Sequence, residues 1–563
     1  MKFSFSALSA IRSREPALRL RPLALATGML VGLAAVLSGC GGGSGGGSNG
    51  FLGGIGALGT VGGNGAGNNG NGNGNPSPPV PDTPQVSAET RCKAFLGRTF
   101  DGATITKATF VLAKDDVPEH CIVRGEMPKD LDFDIRMPTE WNHRTVFRGG
   151  GGFDGYLDVG YISDPAVSPV GSPDLPKRGY ATIATNHGHD MIKNPGGSFA
   201  LDEDMLTDYA YASVPRVLVP AKSILRAQYG DAFASTKMVY EGCSGDGRQA
   251  LMQAQRHPDL FDGIIARAPA NAFTSQFLWY QKIGKQLAKP GAALSPAKIK
   301  AIGDAVYAKC DGLDGLNDRV IGKPEACHLD PVELACTGAE TDACLTPAQV
   351  ESAQVFYAPT NIANGRYVWP GFLPGGETAA TWGASSSNLG GDFIKYMVAQ
   401  DASVDPLLLD PAQYTARIDQ LSSMLDAVDP DLSRFKAKGG KLLLWTGQTD
   451  WLITANNATQ YYQSVVQKNG GQSATDEFVE YYTAPGVDHC NGGNGADKVD
   501  LAGPMFEWLE KGTKPSSSTI IATQRTFAAG ATPASRPLCR YPQYPQYVSG
   551  DPNAATSFVC TSP

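Results

Sequence analysis

Residues 237–256 read KMVYEGCSGDGRQALMQAQR and combine a β-prone run, a glycine-rich turn and a helix-prone run. Ser244 lies in the turn, between residues 237–240, which favour a strand, and residues 248–256, which favour a helix. A serine hydroxyl is a weak nucleophile until a base removes its proton. A sharp strand-to-helix turn exposes that hydroxyl beside backbone N–H groups that stabilise an oxyanion. The stretch therefore predicts a nucleophilic serine at the carboxyl end of a β-strand.

Similar units recur along the chain. Further apolar runs that lead into turns lie at 145–147, 180–185, 261–266, 441–445 and 478–482, and residues 207–229 have helical spacing. Such alternation predicts a mostly parallel α/β sheet. Asp450 and His489 follow the last two runs, and the carboxyl ends of parallel strands meet at one edge of the sheet. We therefore predict a catalytic triad of Ser244, Asp450 and His489, in the chain order of α/β-hydrolases.

Composition divides the chain into five segments. Residues 1–39 contain a basic stretch and an apolar run that is too short to span a bilayer, which is typical of a signal peptide. Residues 40–85 are almost entirely Gly, Asn, Ser and Pro, and we expect a flexible tether. Residues 86–271 and 430–563 are predicted to form the two parts of an α/β domain. Between them, residues 272–429 lose the alternating pattern, and we interpret them as an inserted lid domain.

The signal-peptide region also predicts where the protein resides. Leu37-Ser38-Gly39-Cys40 resembles a bacterial lipobox, which implies a lipid on Cys40; the alternative is an ordinary signal peptide cleaved nearby. We expect an exported bacterial protein that is anchored to the outer membrane or is periplasmic or extracellular. The lipid would be its only contact with a membrane.

Charge and cysteine content agree with export. The formal net charge of −8 becomes −12 without residues 1–39, which carry five basic residues and one acidic residue, so nucleic acid is a poor partner. Of eleven cysteines, ten remain when Cys40 is set aside, an even number suited to five bridges in an oxidising compartment. No Cys-x-x-Cys pair or His-rich cluster indicates zinc.

The motifs around the predicted triad resemble the tannase and feruloyl esterase family. The resemblance rests on Cys243-Ser244, Asp450 and His489-Cys490, with flanks Gly247-Arg248-Gln249, Phe261-Asp262-Gly263-Ile264, Ala268-Pro269-Ala270, Pro485-Gly486 and Pro537-Leu538-Cys539. It covers about residues 90–563 and implies an α/β-hydrolase fold with a large inserted lid. It further implies a bond between Cys243 and Cys490. The remaining expected pairs are Cys92–Cys121, Cys310–Cys327, Cys336–Cys344 and Cys539–Cys560.

A glycine-rich loop is the candidate oxyanion site. Residues 148–153 read RGGGGF and follow a predicted strand, where esterases have such a loop. Glycines let the backbone approach the substrate and turn an N–H toward its oxygen. We expect one donor from Gly150 or Gly151 and the second from Gly245. The alternative is a plain glycine turn.

A second motif, DGLDGLNDRV at residues 311–320, places carboxylates at intervals that suit one hard cation. It resembles the calcium site in the lid of the family. The resemblance implies side-chain ligands from Asp311, Asp314 and Asp318 and backbone carbonyl ligands from Leu316 and Val320. The alternative is a bare acidic turn. We expect structural calcium and no organic cofactor.

Asp246 departs from the family, which usually has glycine at this position. We expect an aspartate there to suit the first turn of a helix but to place negative charge near the oxyanion. His187 and His189 follow another predicted strand near the expected pocket, where a structural role is the alternative to a functional one.

Aromatic residues of the lid are the candidates for substrate binding. Trp382 and Phe393, together with Trp369 and Phe372, would stack on an aromatic acyl group or would form the lid's own core. Residues 371–400 contain Lys395 but no arginine, so a free carboxylate on the substrate lacks a bidentate partner there.

The resemblance and the lid together predict the substrate. We expect small esters of hydroxycinnamic or gallic acid, hydrolysed through an acyl-enzyme. One alternative is a hydrolase of mono(2-hydroxyethyl) terephthalate, an activity found in the same family. Another is a catalytically impaired surface lipoprotein that binds phenolics or glycans, which Asp246 favours.

Overall fold

The computed structural model describes residues 86–157, 171–173, 175–378, 388–525 and 533–563. Predictions for residues 1–85, including Cys40, lie outside this range. Numbered in chain order, the strands are β1 (Thr99–Phe100), β2 (Ala103–Val111), β3 (His120–Met127), β4 (Leu131–Pro138), β5 (Arg144–Arg148), β6 (Ala181–Thr185), β7 (Lys237–Cys243), β8 (Gly263–Arg267), β9 (Thr360–Ile362), β10 (Tyr367–Trp369), β11 (Lys441–Gly447), β12 (Val479–Ala484), β13 (Ile520–Thr523), β14 (Ser535–Arg540), β15 (Tyr544–Tyr547) and β16 (Phe558–Thr561).

The α-helices pack around these strands. They are α1 (Ala88–Lys93), α2 (Glu203–Thr207), α3 (Ser213–Tyr229), α4 (Gly245–Arg256), α5 (Phe273–Leu287), α6 (Pro296–Cys310), α7 (Pro347–Tyr357), α8 (Leu389–Asp392), α9 (Thr415–Leu425), α10 (Ser433–Ala437), α11 (Ala455–Lys468), α12 (Gln472–Thr475) and α13 (Ala502–Lys511). Within the described residues, none of these helices has both the length and the apolar character needed to cross a bilayer.

One large sheet joins most of the strands, in the order β1-β2-β3-β4-β6-β5-β7-β8-β11-β12-β14-β13. The six strands from β6 to β12 in this order are parallel to one another, and the strands outside them pair antiparallel. Strands β6, β8 and β12 are buried at every position, which is why they appear in the sequence as continuous apolar runs. The predicted α/β class is therefore confirmed, but the sheet is mixed. Only its six central strands are parallel, because the strands at both edges pair antiparallel.

Side chains that alternate along the central strands build a core on each face of the sheet. Tyr240 of β7 belongs to the core that includes residues of α3, α4 and α11, whereas the adjacent Val239 belongs to the core under α13. This alternation follows from the period of two in a β-strand. Helices on both faces make a three-layer arrangement.

The segment predicted as a lid leaves the sheet between two neighbouring strands. Strands β8 and β11 pair directly in parallel, with Gly263 opposite Lys441. Residues 268–440 therefore leave the sheet at its carboxyl edge, where Ser244 lies, and return to the opposite edge at the amino end of β11. In the part that the structure describes, they form α5 to α10 and the hairpin β9–β10, and they share a third apolar core with residues 199–210.

Five disulfides join the ten cysteines from Cys92 to Cys560. The pairs are Cys92–Cys121, Cys243–Cys490, Cys310–Cys327, Cys336–Cys344 and Cys539–Cys560. They are the pairs expected from the sequence and the family resemblance.

Candidate active site

Ser244 lies on a strained turn between β7 and α4. Its φ is 64° and its ψ is −126°, a conformation that residues other than glycine rarely adopt. The backbone holds this turn from two sides, because the Ser244 N–H donates to the Arg267 carbonyl at 3.1 Å and the Ala270 N–H donates to the Ser244 carbonyl at 3.0 Å. Strain of this kind persists only where the surroundings enforce it, and it often marks a functional residue.

Asp450 and His489 form a hydrogen-bonded pair in the loops after β11 and β12. His489 Nδ1 is 2.7 Å from Asp450 Oδ2. The other carboxylate oxygen of Asp450 accepts the backbone N–H groups of Leu452 at 2.9 Å and Ile453 at 2.8 Å. The Asp450 side chain is fully buried and the His489 side chain is 15% exposed. The carboxylate is therefore fixed in direction, and it orients the imidazole so that Nε2 faces away from it.

The bridge between Cys243 and Cys490 joins the loop of the serine to the loop of the histidine. The two cysteines are 247 positions apart in the chain, yet their Cα atoms are 6.1 Å apart. Each cysteine is the immediate neighbour of a predicted triad member, so the bridge holds the two loops that carry Ser244 and His489 close together. Ser244 and His489 line the same cavity.

The glycine-rich loop after β5 lies against the serine turn. A Cβ atom built on Gly151 would be 3.6 Å from the Cβ atom of Ser244, and one built on Gly245 would be 2.8 Å from the Gly152 carbonyl oxygen. Gly245 therefore has no space for a side chain. Gly150, Gly151 and Gly245, the predicted oxyanion donors, all line the cavity beside Ser244.

The cavity has a volume of about 310 Å³ and mostly apolar walls. Its lining consists of Gly150, Gly151, Gly152, Tyr156, Ser244, Gly245, Ala270, Phe273, Gln276, Phe277, Leu389, Leu452, Ile453, His489, Cys490 and Asn491. The side walls beyond the triad were not predicted from the sequence. Phe273 and Phe277 lie one turn apart on α5, with ring centroids 4.3 Å apart. Their separation of four residues in the sequence was the signal that would have placed both rings on one face of a helix.

Gln276 contributes an amide group to these walls. Its Nε2 donates to the Tyr280 hydroxyl at 3.0 Å. Its Oε1 is buried and has no hydrogen-bond partner within the described part of the chain. A buried acceptor without a donor is costly, so a ligand hydroxyl that donates to Gln276 would be favoured.

The structure does not support the prediction that Phe393 contacts the substrate. Phe393 is fully buried outside the cavity lining, and its ring stacks on Phe277 with the centroids 5.2 Å apart. It therefore supports the wall from behind. Trp369 and Phe372 belong to the same apolar core, whereas Trp382 lies outside the described residues.

Asp246 lies behind the glycine-rich loop and does not line the cavity. Its side chain is fully buried, is absent from the cavity lining, and packs against Gly149. Its Oδ1 lies 2.8 Å from His187 Nε2 and accepts the Tyr240 hydroxyl at 2.9 Å. The partners of Asp246 were not predicted from the sequence, and the expected effect of its charge on the oxyanion stays a prediction.

His187 and His189 are both buried. His187 Nδ1 is 3.1 Å from the Ser213 hydroxyl, opposite its contact with Asp246. His189 stacks on Phe199 with the ring centroids 4.0 Å apart. Burial and then the neighbouring His187 lower the pKa of His189 to about 4, so this ring is neutral at ordinary pH. Neither histidine lines the cavity.

The acidic loop at 311–320 has some features of a cation site. Burial and then neighbouring carboxylates raise the pKa of Asp314 to about 6, and Asp311 Oδ1 is buried without a hydrogen-bond partner in the described structure. However, Asp318 pairs with Arg536 at 2.6 Å. The carboxylate oxygens of these three residues do not all lie within 4.8 Å of one another. Among the described residues, Asp154, His187 and Asp246 are the group that meets this spacing. The residue types suit a hard cation, but their arrangement here does not bring the three carboxylates together, and calcium stays a prediction.

Comparison with known proteins identifies the family of this chain. The family model for tannase and feruloyl esterase matches residues 116–561. The chain belongs to this family. It is 31% identical over 530 residues to mono(2-hydroxyethyl) terephthalate hydrolase from Piscinibacter sakaiensis, with 79% of this chain and 85% of that protein covered.

Two fungal proteins extend the comparison. The chain is 29% identical over 439 residues to probable feruloyl esterase B-2 from Aspergillus terreus, covering 74% of this chain and 80% of the relative. The crystal structure of feruloyl esterase B from Aspergillus oryzae matches with a TM-score of 0.73 at 24% identity, covering 84% of this chain and all of that chain. The α/β-hydrolase fold is confirmed, and this family member is a carboxylic ester hydrolase.

Proposed function

We propose that the protein hydrolyses esters of aromatic acids through an acyl-enzyme on Ser244. The observation that carries the proposal is the Asp450–His489 pair at 2.7 Å, tied through the Cys243–Cys490 bridge to the strained serine turn. This arrangement supports a triad in which Asp450 orients His489 and His489 Nε2 accepts the proton of Ser244.

Each step uses groups that line the cavity or stand directly behind it. Ser244 Oγ attacks the ester carbonyl while His489 Nε2 accepts its proton, and Asp450 stabilises the resulting imidazolium. His489 then gives the proton to the departing alcohol. Water then attacks the carbonyl of the acyl-serine while His489 accepts its proton, and His489 returns that proton to Ser244 Oγ as the acid leaves. Backbone N–H groups of the glycine loop and of Gly245 bind the oxygen as it becomes negative.

The cavity walls support an aromatic acyl group. Phe273, Phe277 and Tyr156 provide ring surfaces, and offset stacking on such rings adds to the apolar burial of an aromatic acid. The unpartnered Oε1 of Gln276 supports a phenolic hydroxyl on that ring, because the hydroxyl would supply the missing donor. Hydroxycinnamate and gallate esters carry such a group.

A second candidate function is the hydrolysis of mono(2-hydroxyethyl) terephthalate. The relative from Piscinibacter sakaiensis favours it, since its name states that activity. Against it, no lysine or arginine occurs among the described residues that line the cavity, and an amide acceptor such as Gln276 repels a carboxylate. We therefore place neutral and phenolic esters first.

The deciding experiment is a panel of methyl ferulate, methyl gallate and mono(2-hydroxyethyl) terephthalate at matched concentrations. We expect higher kcat/KM for the first two, and loss of activity by several orders of magnitude in Ser244→Ala and His489→Ala. Ser235→Ala and His257→Ala alter the same residue types outside the cavity and serve as controls. A higher kcat/KM for the terephthalate ester would reverse the order of the two candidates. Near-wild-type activity in Ser244→Ala would exclude the mechanism.

The binding-only alternative loses its main support. It rested on an uncompensated charge at Asp246, and that carboxylate is paired with His187 and the Tyr240 hydroxyl. Turnover of a generic activated ester such as p-nitrophenyl acetate tests this alternative directly. Absence of turnover in the wild-type protein would restore it.

Two further parts of the proposal concern stability and location. Asp311, Asp314 and Asp318, with the carbonyls of Leu316 and Val320, would hold calcium, which would neutralise the acidic loop and take no part in the chemistry.

An N-terminal lipid would hold the enzyme at a bacterial membrane surface. Mass spectrometry of the N-terminal peptide from membrane fractions tests the lipid.

A further inference from the structure

A fully buried polar cluster lies behind the glycine loop. Asp154, His187 and Asp246 each contribute one oxygen or nitrogen atom, and these atoms all lie within 4.8 Å of one another. His187 Nε2 and the Tyr240 hydroxyl both contact Asp246 Oδ1, at 2.8 Å and 2.9 Å. None of these four side chains lines the cavity. The proposed mechanism therefore has no direct use for them.

The two carboxyl groups of the cluster support the backbone of the loop. A Cβ atom built on Gly149 would lie 2.3 Å from Cγ of Asp246, and one built on Gly150 would lie 2.8 Å from Oδ2 of Asp154. The Asp154 N–H also donates to the Gly151 carbonyl at 3.1 Å, which closes the turn. The position of the loop therefore depends on where these two side chains lie.

One proton held between the two carboxyl groups would satisfy this cluster. Oδ2 of Asp154 and Oδ2 of Asp246 are buried and have no hydrogen-bond partner among the described residues. Burial and then the charge of Asp246 raise the pKa of Asp154 well above its usual range. Burial would also raise the pKa of Asp246, but His187 and other hydrogen bonds hold it below its usual value. We therefore expect Asp154 to hold a proton that it can donate toward Asp246.

We propose that the Asp154–Asp246 pair, anchored by His187 and Tyr240, is a positioning device for the oxyanion loop. This inference rests on the proposed serine mechanism and adds a role for residues outside the triad. A metal ion is the less suitable occupant, because Asp246 Oδ1 already accepts the Tyr240 hydroxyl and lies 2.8 Å from His187 Nε2.

Loop position matters most when charge develops on the substrate oxygen. Removing one oxyanion donor costs about 100- to 1000-fold in kcat, so a displaced loop should cost less than that. We expect Asp246→Asn to lower kcat by about 10- to 100-fold with little change in KM. Asp154→Ala should do the same. Asp154→Asn should restore most of the activity, because its amide N–H can donate to Asp246 where the carboxylic acid did.

The test compares these three variants with Asp134→Asn, a control that alters another buried aspartate. Asp134 pairs with Arg124 and Arg136 on neighbouring strands and has no contact with the loop. Turnover of p-nitrophenyl acetate is measured with thermal unfolding. Inhibition by an aryl trifluoromethyl ketone, whose adduct carries an oxyanion, is compared with inhibition by the matching unreactive aryl amide.

We expect the inhibition constant for the ketone to rise in Asp246→Asn and Asp154→Ala in parallel with the fall in kcat. The inhibition constant for the amide should stay unchanged in these variants. In Asp134→Asn, the inhibition constants for both the ketone and the amide should equal those of the wild type. Equal weakening of both inhibitors would overturn the proposal, as would unchanged kcat in Asp246→Asn. Equal losses in Asp154→Asn and Asp154→Ala would refute the shared proton. If the wild-type protein neither turns over the ester nor binds the ketone, the proposed function itself fails, which is a separate result.

Discussion

Replacement of Asp450 by asparagine tests the triad at its most defined contact. Asp450 accepts three hydrogen bonds, two from backbone N–H groups of Leu452 and Ile453 and one from His489 Nδ1. In Asp450→Asn the amide oxygen keeps the two backbone bonds. The amide nitrogen then faces His489 and favours the tautomer that carries its proton on Nε2. That tautomer cannot accept the proton of Ser244.

The expected loss in kcat is about 10⁴-fold, which corresponds to about 5.4 kcal/mol of transition-state stabilisation. The fold should survive, since the site keeps its shape and two of the three hydrogen bonds. Steady-state turnover of methyl ferulate and of p-nitrophenyl acetate would be measured beside a thermal unfolding curve. A loss of similar size on both esters would identify a defect in chemistry and not in substrate binding.

Asp488→Asn is the matched control for this variant. Asp488 precedes His489 and accepts the Thr449 hydroxyl at 3.1 Å, but it does not bond the imidazole. Burial raises the pKa of Asp488 to about 6, so assays well above that pH examine its ionised carboxylate. We expect the control to lose less than about tenfold in kcat. If Asp450→Asn stays within tenfold of the wild type, or if both variants lose equally, the assigned role of Asp450 is refuted.

Replacing both Cys243 and Cys490 by alanine should remove up to about 5 kcal/mol of stability by loop-closure entropy, and should lower kcat more than thermal stability alone explains; retained kcat at a temperature where the variant is folded would contradict this. A calcium chelator should lower the Tm of the wild type but not that of Asp314→Ala, and an unchanged wild-type Tm would mean that the loop binds no calcium. Gln276→Leu should lower kcat/KM for methyl ferulate by about 10-fold but leave the ester of unsubstituted cinnamic acid little changed. An equal effect on both esters would remove Gln276 from phenol recognition.

The fold class was predictable from the sequence because its signals are local. The strands β7 and β11 are short apolar runs that end in turns. Each turn carries one residue whose side chain can take part in catalysis, Ser244 after β7 and Asp450 after β11. Parallel pairing then brings those turns to one edge of the sheet, whatever lies between them in the chain. For this reason Ser244 and Asp450 could be selected without knowledge of the intervening segment.

The walls of the cavity and the cluster behind it depend on contacts between distant parts of the chain. Phe393 was selected as a substrate contact by residue type, but Phe277 lies between it and the cavity. The partners of Asp246 were not predicted, because His187 is distant from it in sequence. A local pattern states neither the direction of a side chain nor its partners, so these contacts could not be predicted without the structure.

The Cys243–Cys490 bridge also fixes the order in which the enzyme becomes complete. Its second cysteine lies 247 positions after the first, beyond β11 and β12. A chain that enters an oxidising compartment from its N-terminus would therefore carry Cys243 without its final partner until nearly the whole sheet has entered. During that interval its thiol would be open to wrong pairing with Cys310, Cys327, Cys336 or Cys344, all of which precede Cys490 in the chain. We expect early closure of the two bridges in the inserted segment to withdraw those four thiols from competition.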